Sequence, residues 1–216
     1  MDEAATHVHV LGLDLAGPAN AADTAAALYR VESGKPILVE TATGLDDPAV
    51  AALLPPGPGL VVGLDAPLSY QPGGGDRAGD RELRRLLKER GLAPGTVMAP
   101  TLTRMAYLTL RGMAIARLIE KLKPEARIVE VHPAGALVLR EAAPLDVREL
   151  KRSAEARMRL VARLAEAGLG PGLPADAGDH LVAAAAAALA AWDWSRGEAR
   201  WQWQAEPPHH PYDYTC

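Results

Sequence analysis

The sequence contains no phenylalanine and only one cysteine, Cys216, its last residue. A lone thiol makes no bridge within the chain, which excludes a disulfide framework and fits a reducing, cytoplasmic setting. There is no G-x-G-x-x-G, no P-loop and no C-x-x-C, so a nucleotide cofactor and a thiolate zinc site find no support. The longest apolar run, Leu181 to Trp192, is mostly alanine and too short to cross a bilayer. Met1 to Thr6 carries acids and lacks the apolar stretch that a secretion signal needs. Neither sign of charge dominates: 23 basic and 27 acidic residues leave a net charge of -4. Such a chain does not attract nucleic acid through its overall field, so any such binding needs a local basic patch. No membrane partner is expected, and monomer and homodimer remain equally open.

What is present suits one globular core. A length of 216 residues with 49% hydrophobic content is expected to form one domain over 1–216. An insertion of loop and helix is expected at about 66–100, and a loose C-terminal tail from about 205. Val8 to Leu15 reads as a buried strand ended by Gly17-Pro18, and Ala25 to Val31 and Ile37 to Thr43 as two more strands across a hairpin turn at Glu32 to Lys35. Asp46, Asp47 and Pro48 open a short helix, and Leu60 to Asp65 is another apolar strand. Leu68 to Gly79 reads as a mobile loop before a basic helix, Asp80 to Arg90. Thr103 to Leu122 is a longer helix, Arg127 to Val131 a strand, Ser153 to Ala167 an amphipathic helix, and Asp179 opens an alanine-rich one. Trp201 and Trp203 alternate with glutamines as in an edge strand. This order predicts a mixed α/β fold with five to six strands, an antiparallel meander joined to parallel strands, and helices on both faces.

Four acids stand out. Asp14, Asp65 and Glu130 each sit at the end of an apolar strand, where a carboxylate is expensive to bury alone. Asp179 starts a helix after the breaker-rich stretch Gly170 to Gly178. Neighbouring strand ends of an open α/β sheet are a common site position. Converging carboxylates repel, and Mg²⁺ or Mn²⁺ supplies the compensation, since hard cations prefer oxygen ligands. Two ions about 3.5–4 Å apart stabilise both the attacking and the leaving oxygen of a phosphodiester displacement. Each acid has a plainer reading as well. Asp14 can cap a turn, Asp65 can bind loop amides, Glu130 can pair with Arg127 or Arg111, and Asp179 can serve as a helix N-cap.

Other polar groups leave alternatives open. Arg77, Arg81, Arg84, Arg85, Lys88 and Arg90 form a basic cluster able to hold phosphate, but interleaved acids favour a solvated helix face. His132 is two residues beyond Glu130 and reads as a general base or as a structural histidine. His209 and His210 read as tail residues, able to take adventitious metal but expected to be disordered. Trp201 and Trp203 can stack bases, although packing an edge strand is the better reading.

The chain resembles the family catalogued as domain of unknown function family 429, described as predicted nucleases with a ribonuclease H-like fold. The resemblance rests on an ordered series: Gly-Leu-Asp-Leu-Ala-Gly at 12–17, Leu-Asp-Ala-Pro-Leu-Ser at 64–69, Asp-Arg-Glu-Leu-Arg at 80–84, Leu-Thr-Leu-Arg-Gly-Met at 108–113, Val-Glu-Val-His-Pro-Ala at 129–134 and Asp-His-Leu-Val-Ala-Ala at 179–184. It implies that Asp14, Asp65, Glu130 and Asp179 are both catalytic residues and metal ligands, and that Arg81, Thr109 and Arg111 line the site; His132 joins the substrate-side candidates through its spacing from Glu130. His180 departs from the pattern, which has a small residue there, and makes Asp176 a substitute for Asp179. The expected function is a metal-dependent nuclease of the ribonuclease H-like class, with two Mg²⁺ or Mn²⁺ ions and nucleic acid as partner. The alternative is a non-catalytic module that binds nucleic acid or protein on the same fold. A sugar-kinase-like ATPase ranks lower, because such enzymes need two domains of this kind.

Overall fold

The computed structural model describes residues 8–216, so the expectation for Met1 to Thr6 lies outside the described residues. The chain opens with an antiparallel meander: β1 (His9–Asp14), β2 (Ala25–Glu32) and β3 (Lys35–Thr43). The β2–β3 hairpin turns at Ser33-Gly34, both with positive φ (49° and 78°), which matches the right-handed twist of the flanking strands. Asp46 caps α1 (Asp47–Ala52) by accepting the Ala49 N–H at 2.9 Å. β4 (Leu60–Asp65), α2 (Ala78–Glu89), α3 (Arg104–Leu122) and β5 (Arg127–Val131) follow. Then come α4 (Pro133–Val138), α5 (Pro144–Glu149), α6 (Ala154–Leu164) and α7 (Asp179–Ser195). β6 (Gln202–Trp203) and β7 (Tyr214–Thr215) end the chain.

All strands join one mixed sheet of seven, in the order β3-β2-β1-β4-β5-β7-β6. β1, β4, β5 and β7 run parallel, and the meander and β6 are antiparallel to their neighbours. Alternate residues of each strand feed one of two cores. Leu11, Leu13, Val62, Leu64 and Ile128 meet α1 and α3, while Val10, Val61, Val129 and Val131 meet α4, α6 and α7. No helix among the described residues is long and apolar enough to cross a membrane.

The sheet exceeds the expected five to six strands because the tail is not loose. β7 is inserted between β5 and β6, Cys216 is fully buried, and His210, expected to be disordered, is buried with its ring edge-on to Trp203. A strand of two residues carries no periodic signal, so the sequence pattern misses it. Leu68 to Gly79 is likewise pinned at both ends, with Leu68, Ser69, Arg77 and Gly79 buried.

One packing detail sets the site. α7 lies directly on β1 and β4 at Gly12 and Gly63. A Cβ on Gly12 would stand 1.9 Å from the Ala184 carbonyl oxygen, and one on Gly63 2.4 Å from that of Ala187. Glycine in both strands and alanine along the helix permit this approach. It carries the first residues of α7 over the ends of β1 and β4, where Asp14 and Asp65 lie.

Candidate functional site

Asp14 and Asp65 are register partners at the C-terminal ends of two parallel strands. They continue the rows Val10–Gly12–Asp14 and Val61–Gly63–Asp65, so both face the α7 side. With Asp179, His180, Glu130 and Lys151 they line a cleft of about 470 Å³, a volume ordinary for a small-molecule or active site.

The two strand-end aspartates stand within hydrogen-bonding reach of each other. Burial, together with the negative charge of Asp14, pushes the Asp65 carboxyl well up. Burial also raises Asp14, opposed by its contacts with His180 and Asp65. Burial and mutual repulsion thus act on the pair together and disfavour two bare carboxylates side by side. His180 Nδ1–H donates to Asp14 Oδ2 at 2.8 Å, and its Nε2 lies 3.9 Å from an Asp179 oxygen. The hydrogen bond to Asp14 holds the His180 imidazolium above its ordinary range. Asp179 is the first residue of α7 and partly exposed, while Gly178 occupies the N-cap, so capping does not account for this acid. Asp176 is exposed and outside the cleft lining.

Glu130 behaves differently. The β4–β5 register sets it level with Leu64, one residue short of Asp65, and from the strand end its side chain still reaches the cleft lining. There both of its oxygens are engaged. Arg77 Nη1 and the Leu68 N–H donate to Oε2 at 2.7 and 2.8 Å, and Arg77 Nη2 donates to Oε1. Arg77, 1% exposed, also binds Asp80 through Nε (3.0 Å) and Nη2 (2.8 Å) and Ser69 Oγ through Nη1 (3.0 Å). Ser69 Oγ in turn meets His210 Nδ1 at 2.8 Å, and the guanidinium lies over the ring of Tyr214. The partner of Glu130 is thus Arg77, not Arg127 or Arg111. Arg77, Asp80, Ser69 and His210 form a network that sequence spacing alone did not reveal; an arginine at 1% exposure inside a Gly-rich loop leaves no periodic trace.

The remaining candidates lie elsewhere. Arg111 is a buried clamp, bound to Asp47, the Ala16 and Leu45 carbonyls and Thr24 Oγ1. Thr109 Oγ1 donates within the α3 region, to the Pro100 or Met105 carbonyl, both at 2.9 Å. Arg81 is exposed and bonds the Asp76 carbonyl. None of these three lines the cleft. His132 does line it, but both ring nitrogens are taken. Nδ1 accepts the Gly135 N–H at 3.0 Å, so Nε2 carries the hydrogen and donates to the Thr96 carbonyl at 3.1 Å. Burial lowers its pKa, and it is a neutral structural histidine. The basic cluster disperses in the same way: Arg84 grips Asp76 and Arg85 reaches Glu89. Trp203 packs on Gly79 and Trp201 donates to Glu82. His209 is exposed.

Among the described residues no three His, Cys, Asp or Glu side chains gather as a ligand group. Of the four expected acids, all of which line the cleft, Glu130 is engaged on both oxygens by Arg77. Asp14 and Asp65 do present adjacent oxygen donors. Mg²⁺ characteristically takes one or two protein carboxylates and completes its shell with water and substrate phosphate. The pair fits one hard cation on those terms.

Fold and site together define a class: a mixed α/β protein with paired aspartates at adjacent parallel strand ends and a helix N-terminus above them. Residues 12–209 match the family model described as "Protein of unknown function (DUF429)", and the chain belongs to that family. No curated protein and no solved structure matches it.

Proposed function

We propose that the protein is a metal-dependent phosphodiester hydrolase of the ribonuclease H-like class, acting on nucleic acid or its fragments. The supporting observation is the Asp14–Asp65 pair, two acids level in register on parallel strands and within reach of each other in a cleft. The sheet order, with an antiparallel meander leading into parallel β4 and β5, is in keeping with that class. A bound Mg²⁺ or Mn²⁺ would supply a Lewis acid for the phosphoryl oxygens and lower the pKa of attacking water. Asp14 and Asp65 would hold it. Asp14 also fixes the His180 ring through Nδ1, leaving Nε2 to pass a proton to the departing oxygen. Asp179 faces that same Nε2 and keeps the imidazole oriented. Glu130 and Arg77 form the wall beneath the pair and take no part in proton transfer. The test is cleavage of DNA, RNA and hybrid strands with Mn²⁺ by the wild type and by Asp14→Asn. Activity surviving the substitution overturns the assignment.

A further inference from the structure

The strand-end acids of the cleft have been placed, but its cations have not. Four basic side chains line it: Arg77, Lys151, His132 and His180. Arg77 is saturated by Glu130, Asp80 and Ser69, His132 is neutral, and His180 is bound to Asp14. Among the described residues Lys151 is the cleft cation with no ion pair or hydrogen bond. It sits in the turn between α5 and the Ser153 cap of α6, exposed at the mouth. Its ammonium is nonetheless close enough to act on both Asp14 and Asp65. The lining of the cleft also holds the apolar Met98, Met105, Leu108 and Leu150 and the acids Asp23 and Asp179.

We propose that Lys151 is the phosphate anchor of this cleft, and that the site engages one phosphate group of its substrate rather than a run of backbone. The inference rests on the phosphodiester reading and narrows its substrate. A lysine ammonium is a compact point charge suited to one phosphate. A groove that follows a nucleic-acid strand needs a row of such cations, and this cleft offers one among acids and methionines. The apolar part of the lining then meets the nucleoside flanking the bound phosphate. The class of substrate is a dinucleotide-sized phosphodiester or a strand end.

The experiment is calorimetric titration of the full chain with thymidine 5′-monophosphate in Mg²⁺, for the wild type, Lys151→Gln and Lys151→Arg. Lys151 lies on an exposed turn and contributes nothing to the core, so these variants fold. Loss of one charge-assisted contact is expected to weaken binding about ten- to a hundredfold in Lys151→Gln, with partial rescue in Lys151→Arg. The wild-type affinity should fall with salt at a log–log slope of about one charge or less. Equal affinity in wild type and Lys151→Gln, or no binding by either, overturns the anchor. A second arm compares turnover of a dinucleotide and of a long single strand in Mn²⁺, where similar kcat/KM is expected. A long strand cut at least about tenfold better, with a salt slope of several charges, overturns the single-phosphate claim while leaving the hydrolase reading intact. Lys151-dependent binding without any turnover has the converse meaning: the hydrolase reading fails and the anchor stands.

Discussion

Replacing Arg77 by methionine isolates what holds the floor of the cleft together. The guanidinium is 1% exposed and lies between Asp80, 1% exposed, and Glu130, 5% exposed. Methionine fills a similar volume but leaves two carboxylates buried without their cation. Breaking a buried pair by removing one partner destabilises by about 3–5 kcal/mol, a large share of a typical total of about 5–15 kcal/mol. At a slope of about 2 kcal/mol per molar urea the unfolding midpoint should fall by about 1.5–2.5 M. The sign of the pH effect follows from Glu130. Burial already lifts its carboxyl, and the charge and hydrogen bonds of Arg77 oppose that. Without Arg77 the folded-state pKa rises further above the unfolded value. The stability linked to it is then present at low pH and lost as pH rises through the folded pKa. The deficit of Arg77→Met should therefore be smaller near about pH 5 than near about pH 8, and Arg77→Met/Glu130→Gln should recover part of it. Urea unfolding followed by tryptophan fluorescence at both pH values decides the matter. A loss below about 1 kcal/mol, or one that does not change with pH, refutes the network.

The other expectations are simpler to state. Gly12→Ala should lower Tm by about 6–12 °C in a thermal scan, since its Cβ meets the backbone of α7 at 1.9 and 2.5 Å and helix backbone does not yield; an unchanged Tm would show that α7 does not lie on β1 as described. Removing residues 206–216 should unfold or severely destabilise the protein, because β7 pairs with β5 and Tyr214 and Cys216 are buried; a truncated chain with unaltered circular dichroism and Tm would restore the loose tail. Millimolar Mg²⁺ should raise the Tm of the wild type and leave that of Asp65→Asn unmoved, as expected when a ligand binds only the folded state. In metal-free buffer Asp65→Asn should itself be more stable than the wild type above neutral pH, read as a higher Tm. The raised folded pKa of Asp65 makes its ionisation weaken the fold as pH rises, and asparagine does not ionise.

The strands and long helices were legible because each covers enough residues to show its period: β1, β4 and β5 as apolar runs, and α3 and α7 by length and composition. Asp14 and Asp65 were legible for the same reason, since the ends of buried strands fix their place and facing. Glu130 was legible as a strand-end acid that reaches the cleft, but its engagement by Arg77, 53 positions away, was not. Arg77 was invisible as a buried residue because its neighbours in the chain are glycine, aspartate and alanine, and its partners lie 53 positions away or across a turn. The commitments of Arg111 and His132 are of this long-range kind as well. Their chemistry suited a substrate role, and only the fold reveals that their donors and acceptors are already taken.

The distribution of cations over the strand-end acids argues for the role of Asp65. Glu130 receives a guanidinium on both oxygens, and Asp14 receives the imidazole of His180. Asp65 stands between them with no basic side chain in hydrogen-bond contact; its nearest compensation is the more distant charge of Lys151 from the cleft mouth. If all three acids served only to hold the structure together, burial of the central one would be the least compensated and the most costly of the set. A protein gains nothing for its own stability from keeping an aspartate there instead of asparagine. The position makes sense for an acid that opens on a cleft and takes its positive charge from outside the chain. Asp65, rather than the four-acid cluster as a whole, is therefore the residue on which a metal-dependent reading stands or falls.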